Sequence, residues 1–527
     1  MIAPSAGPEG VWILADQLHP QQSALASLST LSPDRVPVIL IESHTWASSR
    51  NHHQQKLVLV WSAMRHFAQE LQQRGYPVTY VEADSYAEPL QTWAKQHQLQ
   101  QIRLMQPADI PVRDEIEKLR STLPCPLLIL ENNHFLWSTR QFIDWASGRK
   151  RLLLEDFYRE GRRRFRILMD GPKPLGGRWN YDRENRHPPK PGMRYPQPLT
   201  FPPDAITQAV IAKVRQHYGH HFGSLEGFGW AVTRAQALQV LDHFIHERLP
   251  HFGPWQDAMQ AGEDFLFHSL LSPYLNLGLL TPHEVIAAVE QAYHRGGIPL
   301  PSAEGFIRQI LGWREYMRGF YEYQMPNGYA QNNFFGHQRP LPEFFWTGKT
   351  DMACLQHTLD QIRRHGYAHH IQRLMVLSNF ALISGIQPQA VEAWFQDVFI
   401  DSYDWVMQPN VIGMGLFADG GMLSTKPYAA SAQYIRKMSD YCRHCRYNPS
   451  EKVGKQACPI NTLYWDFLLR QRSLLAPLGR MKWVLIHLDR MEPELKAQIQ
   501  AQAAAWWDPL QSALDEQSPS HSHLQSV

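Results

Sequence analysis

Cysteine is scarce. The chain has five in 527 residues, too few and too scattered for a disulfide framework, which points to a reducing cytoplasm. In that setting a group of cysteines binds metal or does redox chemistry. Long apolar runs are absent too. No stretch offers about twenty uninterrupted apolar residues, so nothing reads as a membrane span. The start, MIAPSAGPEGVWILADQ, lacks a basic region ahead of an apolar core and does not read as a secretory signal. No GxGxxG follows the first apolar run, which argues against a dinucleotide on that strand. Net charge is only +2, so the total does not argue for nucleic acid, and no internal repeat is evident.

What is present is globular: 44% hydrophobic and 19% charged residues, with length for two or three domains. VWILA (11–15), VPVIL (36–40), VTYV (78–81), IRLM (102–105) and LLIL (127–130) read as buried strands. KLVLVWSAMRHFAQELQQRG (56–75) between them has helical periodicity and a glycine stop. Strand–helix alternation at this spacing implies an α/β unit with a doubly wound parallel sheet, which binds ligands at the carboxyl ends of its strands. Asp16 and Glu42 follow two of those strands and are candidate contacts there. Residues 171–203 are rich in proline and glycine and read as a wrapped linker. From about 225 onward nearly every segment reads as helix. The expected organisation is an α/β unit (1–140), a linker (141–224), a large helical unit (225–505) and a polar tail (506–527) ending SPSHSHLQSV.

Two clusters stand out. REGRRRFR (159–166) packs five arginines into eight positions, either a solvated linker or helix face or a phosphate-contacting patch built on Arg162, Arg163 and Arg164. MSDYCRHCRYNPSEKVGKQACPI (438–460) carries Cys442, Cys445 and Cys458. Three thiols at this spacing are most of a metal site. His444 would complete a Cys3His zinc site, whereas a fourth thiolate would suit tetrahedral zinc or a cubane cluster. Cys125, directly before the strand LLIL, reads as a small core residue. The chain's 17 tryptophans and 26 histidines suit a large aromatic cavity.

Three blocks of the helical half go further: EDFLFHSLLSPYLNLGLLTP (263–282), FIRQILGWREYMRG (306–319), and HHIQRLMVLSNFALISG (369–385) with FIDSYDWVMQPNVIGM (399–414). In this order they resemble the flavin-binding part of the photolyase/cryptochrome family, and the α/β–linker–helical order extends the resemblance to nearly the whole chain. GWREY, KPYAAS (426–431) and the cysteine segment resemble its iron–sulfur bacterial branch, which comprises prokaryotic (6-4) photolyases and related cryptochromes.

That resemblance implies FAD contacted by His268, Ser269, Leu271, Ser272, Gln309, Arg314 and Arg373, with Asp401 as the acidic partner of Arg373. A helix start at HSLLSPY would offer free N–H groups to phosphate; alternatively Ser272 simply caps the helix ahead of Pro273. His370 corresponds to the histidine between flavin and lesion and His369 is its neighbour, while Leu374 stands where animal (6-4) photolyases have a second histidine. One or both of His369 and His370, four and three residues before Arg373, are expected to share its face, with Ile371, Leu374, Met375 and Ser378 on the opposite, core side. The resemblance also implies a [4Fe–4S] cluster on Cys354, Cys442, Cys445 and Cys458, an electron path through Trp394 and Trp346, and a dimethyl-ribityllumazine antenna near Asp16 and Glu42. Phe395, where the branch has tyrosine, leaves the surface end of that path open. The implied function is light-driven repair of UV-damaged DNA by a monomer. Its rivals are a signalling cryptochrome and a light-independent nucleic-acid binder with a structural metal.

Overall fold

The computed structural model describes residues 7–517. The tail expected at 506–527 is corrected in its first part: 506–517 continue the helix Pro493–Gln517, and 518–527 lie outside the described residues. The five apolar runs form one parallel sheet: β1 (Glu9–Ile13), β2 (Val38–Ser43), β3 (Val78–Ala83), β4 (Gln101–Met105) and β5 (Leu127–Leu130). Spatial order is β3-β2-β1-β4-β5, with Val11 opposite Val38 on one side and Arg103 on the other. β1 and β2 are buried along their whole length, as strands covered on both faces must be, so their sequences are continuous apolar runs rather than alternating ones. Helix α1 (Gln54–Gln73) covers one face. A separate core around Trp12, Ile39, Trp93 and Cys125 closes the other. The strand order turns back between β1 and β4, and the loops after these strands open a cleft there.

The segment expected as linker contains regular structure. Helix α2 (Leu154–Phe165) holds the arginine run, and helix α3 (Ala205–Tyr218) returns to the sheet. Arg162 corrects the expectation of a phosphate-binding patch. It is fully buried and donates to the carbonyls of Ile167 (3.3 Å), Trp179 (3.1 Å) and Leu168. It therefore fastens the chain that follows α2 and cannot reach DNA. Arg163 and Arg164 are exposed, but their guanidinium groups lie 4.7 Å from the rings of Trp179 and Trp137 respectively.

Glu42 needs a similar correction. It is fully buried and accepts from Arg65 (2.6 Å), Lys213 on α3 (2.7 Å) and the Tyr80 hydroxyl (2.5 Å). Burial alone would raise its carboxyl pKa, and these three donors outweigh it and hold the pKa below the usual value. With its oxygens committed to tying α3 to the sheet, Glu42 has none left for a ligand. Residues 178–203 run largely without helix or strand but are strapped down: the Tyr181 N–H donates to Glu304 (3.1 Å) and the His187 N–H to the carbonyl of Pro254 (2.9 Å).

The remainder is helical. It includes α4 (Ser272–Leu277), α5 (Ala353–His365), α6 (Pro388–Val398), α7 (Pro459–Arg470) and α8 (Pro493–Gln517). Four stretches are π-helical: Phe244–Arg248, Arg308–Arg314, Gln372–Ser378 and Pro409–Gly415. Such widened turns are rare and cluster at functional sites. Three of the four line one cavity.

Candidate cofactor cavity and thiolate site

That cavity has a volume of about 280 Å³. His268, Ser269, Leu271, Ser272, Gln309, Arg314, His370, Arg373 and Asp401 all line it, so the structure gathers into one place residues spread over 134 positions of sequence. His369 does not line it. The chain reaches the cavity through two strained non-glycine residues, Leu266 (φ 42°) and Leu270 (φ 59°), a conformation that costs energy and recurs at ligand sites. α4 then starts with Leu271 at its cap position and no side chain capping it. Ser272 is not the cap. Its hydroxyl donates to Asp401 Oδ2 at 2.6 Å.

Asp401 is the hub. Arg373 meets it through both terminal nitrogens, at 3.0 and 3.1 Å. The Asn276 side chain donates to its backbone carbonyl at 2.9 Å. The Arg373 guanidinium also lies 3.8 Å from the Phe399 ring. A buried charge is tolerable only when paired in this way. Arg314 is held differently, by the carbonyls of His134 (3.2 Å) and Leu275 (3.4 Å) and by Glu315 (3.1 Å), whose other oxygen accepts the N–H groups of Leu136 and Trp137. Burial lowers the Arg314 pKa, with the Glu315 carboxylate opposing the shift.

The two histidines separate. His370 is exposed at the cavity wall. His369 is buried and its ring stacks on His268 at 4.3 Å and 12°. Its surface opens on the cavity, but the protein packed around the ring still desolvates it, and that desolvation, followed by the Arg373 charge, lowers the His370 pKa to about 4. His268 is lowered to about 3, and His369 well below its ordinary value, by burial first. All three rings are therefore neutral at pH 7. Among the described residues, both nitrogens of His369 and Nε2 of His268 lack a hydrogen-bond partner. Leu374 and Ser378 line the cavity with His370 and Arg373, so they do not mark an opposite core side; the π-helical widening of Gln372–Ser378 brings them round.

Phe395 lines the cavity. Trp394 lies behind it, with ring centroids 5.5 Å apart, and packs on Phe345 at 5.1 Å. Trp346 follows Phe345 in sequence and meets Phe222 at 5.9 Å. Phe395 thus occupies the cavity end of the aromatic series, not its surface end. Sequence reasoning passed over Trp313, Tyr367 and Trp405, which also line the cavity. Trp313 and Trp405 lay inside the quoted blocks, and only their aromatic character could have singled them out.

Cys354, at the start of α5, is buried, as is Cys458 ahead of α7; Cys442 and Cys445 are half-buried. Cys445 Sγ lies 3.8 Å from the carbonyl of Asp351, three residues before Cys354. The Cys354 thiol pKa is pushed well above its usual value by burial and then by the charges of Cys458, Cys442 and Cys445, so the four sulfurs share one electrostatic neighbourhood. Burial likewise pushes Cys442 up to about 12 and Cys458 to about 11. Among the described residues, no three or more cysteine, histidine, aspartate or glutamate side chains form a ready-made site for a metal ion. The donor set is nonetheless suited to metal: four thiols costly to ionise alone become thiolates once a cation neutralises them. Cys125 packs in the sheet core, and His444 is exposed.

A second cavity, of about 300 Å³, lies at the sheet cleft. Asp16, Ser43, Trp46, His52, Lys56 and Tyr403 are among its lining residues, and Glu42 is not. Burial raises the Asp16 carboxyl pKa to about 6. His52 stacks on Trp46 at 4.7 Å, and among the described residues neither of its nitrogens makes a well-formed hydrogen bond. Buried polar atoms left open beside aromatic walls fit a flat, polar ligand.

Known proteins share this architecture. A family model described as deoxyribodipyrimidine photo-lyase-related protein matches residues 11–230. A (6-4) photolyase of Agrobacterium fabrum is 45% identical over 502 residues, which is 94% of this chain and 98% of that one. An uncharacterised protein of Acanthamoeba polyphaga mimivirus is 40% identical over 116 residues, 22% of this chain and 85% of its own. A crystal structure of a bacterial class III photolyase from Agrobacterium tumefaciens covers 97% of this chain and 99% of its own, with a TM-score of 0.57 at 17% identity, a likeness of fold. With 45% of positions identical over nearly the full length of both chains, this chain belongs to the bacterial (6-4) photolyase family of light-driven DNA-repair enzymes.

Proposed function

We propose that the protein repairs (6-4) lesions in UV-damaged DNA, with FAD in the cavity around Asp401 and the flipped lesion against His370. The observation that carries this reading is the placement of His370: exposed at the cavity wall, one residue from a buried stacked histidine and three from the Arg373–Asp401 pair. Bound FAD would supply light absorption and the electron that opens the lesion. The chain's own residues do the rest. Ser269 and Leu271 stand at the strained turn before α4 and would face the phosphates. Gln309 and Arg314 would hold the ring system from the Arg308–Arg314 segment. The Nε2 of His268, unpartnered among the described residues, would find its acceptor there.

His370 would give a proton to the group that migrates from the 3′ to the 5′ base. The protein's own groups hold it neutral, so the anionic charge of flavin and lesion phosphates would have to raise its pKa before it could donate. His369, stacked behind His268, would support its neighbour rather than touch the lesion. Trp394 and Trp346 would carry electrons across Phe395. Cys354, Cys442, Cys445 and Cys458 would hold a [4Fe–4S] cluster beside the flavin region. The unit 1–140 would hold dimethyl-ribityllumazine in the sheet cleft, with Asp16 as a contact and Glu42 withdrawn. The test is illumination of the reduced protein with duplexes carrying a (6-4) product or a cyclobutane dimer separately. Repair of the first alone is expected. Repair of neither would favour a cryptochrome-type signalling protein.

A further inference from the structure

A groove of about 840 Å³ runs between residues 188–192 of the strapped linker and the cysteine-bearing segment 436–450. Lys190, Arg436, Lys437 and Arg443 line it, and all four are exposed. None of them has an ion pair among the described residues. The lining includes one acid, Asp440, whose Oδ1 is occupied by the N–H of Ala261 at 2.8 Å. Isolated surface cations usually just solvate a face. Here they converge from two distant segments on a concave surface, and the sequence 436–455 holds Arg436, Lys437, Arg443, Arg446, Lys452 and Lys455 against Asp440 and Glu451 alone.

The walls are stiff and continuous with the cavity. Pro188, Pro189 and Pro191 fix the linker side. The linker is pinned by the Lys190 ammonium 5.6 Å from the Trp255 ring and by the Tyr195 hydroxyl on Gln260 at 2.9 Å. Within one short segment Phe252 lines the cavity and Gln260 lines the groove. On the other wall Tyr441, between the groove residues Asp440 and Cys442, accepts a hydrogen bond from Gln372, two residues beyond His370.

We propose that this groove binds the phosphate backbone of the DNA strand flanking the lesion, so the DNA-binding surface runs over the cysteine-bearing segment and not over α2. A regular line of phosphates is the ligand that un-neutralised cations along a polar groove select. The proposal rests on the DNA-repair reading. The proline-rich linker forms one bank of the groove.

The experiment compares flavin- and iron-loaded wild type with the triple variant Lys190→Ala/Lys437→Ala/Arg443→Ala, binding undamaged and (6-4)-bearing duplexes over a range of KCl. Each lost phosphate contact lowers the slope of log affinity against log salt by about 0.9. The triple variant should therefore lose about two to three units of slope, equally for both duplexes, with iron and flavin content unchanged. The pair Lys437→Ala/Arg443→Ala, which leaves the linker untouched, should lose about two at most. Arg163→Ala/Arg164→Ala should keep the wild-type slope. Variants with normal iron and flavin and an unchanged slope would overturn the groove. Wild type without affinity for either duplex would overturn the repair reading itself.

Discussion

Gln372 and Tyr441 are hydrogen-bonded at 3.2 Å, amide nitrogen to phenol oxygen, inside the protein with both side chains buried. The same amide group donates to Gln361 on α5 at 2.7 Å, and its oxygen accepts the N–H of His369 at 3.0 Å. One glutamine thus joins the turn of His370 and Arg373 to both cysteine-bearing segments. Gln372→Leu would leave the His369 N–H and the Gln361 oxygen without partners, a cost of about 1–3 kcal/mol for each buried group. Flavin should dissociate more readily from that variant while its iron content stays at the wild-type level. Tyr441→Phe, which removes one of the amide's two acceptors, should do the same more weakly; equilibrium dialysis of flavin beside iron analysis measures both.

His370 sets a pH signature. Its folded pKa of about 4 lies below the ordinary 6.5, so the unfolded chain takes up the proton first as pH falls. The stability conferred by the neutral ring is present above about pH 6.5 and drains away between there and about pH 4. In the ligand-free protein His370→Gln should lose less melting temperature than wild type between pH 7 and pH 5. A direct NMR titration of the ring should give a midpoint near 4 that rises when flavin and a lesion duplex bind.

The same residue divides folding from chemistry. His370→Ala should keep flavin, iron and DNA affinity, while single-turnover repair of (6-4) lesions falls at least about a hundredfold, the scale for losing a positioned acid. His369→Ala should hurt flavin binding more than chemistry, because its ring stacks on His268. Full repair by His370→Ala with normal flavin would remove it from the mechanism.

Cys354→Ser should lose metal and folding yield together, since a ligand lost from a closed site removes folding free energy. Cys125→Ser, in the sheet core, should keep both. Iron and sulfide analysis of the two purified variants decides, and about one zinc with no iron in wild type would reject the cluster.

Phe395 lies between the cavity and Trp394. Trp394→Phe should slow light-driven flavin reduction with an external thiol, and Phe395→Tyr should speed it, because a phenol is far easier to oxidise than a phenyl ring. An unchanged rate in Trp394→Phe would move the path to Trp405 or Trp313, which line the same cavity.

Much of this was legible in the sequence, for reasons that differ by region. Strands such as Leu127–Leu130 announced themselves because a sheet covered on both sides demands unbroken apolar runs. The cavity residues were readable only as blocks, since nothing local says that Ser272 and Asp401 will meet. The errors share a cause. Arg162 and Glu42 carry full charges, and a charge in sequence looks like surface until the fold supplies three carbonyls for one and three donors for the other. The π-helical turns left no trace in residue type, so Leu374 and Ser378 were assigned to the wrong side by ordinary helical spacing.

The buried link from Gln372 to Tyr441 has a consequence for how the molecule is made. Every residue lining the cavity has been synthesised by Val411. The tyrosine that braces its His370 turn comes thirty positions later, and the last thiol, Cys458, later still. The sheet unit can fold while the rest is on the ribosome, but a chain halted between 411 and 441 would hold every residue of the cavity wall on a turn that still lacks its Tyr441 brace.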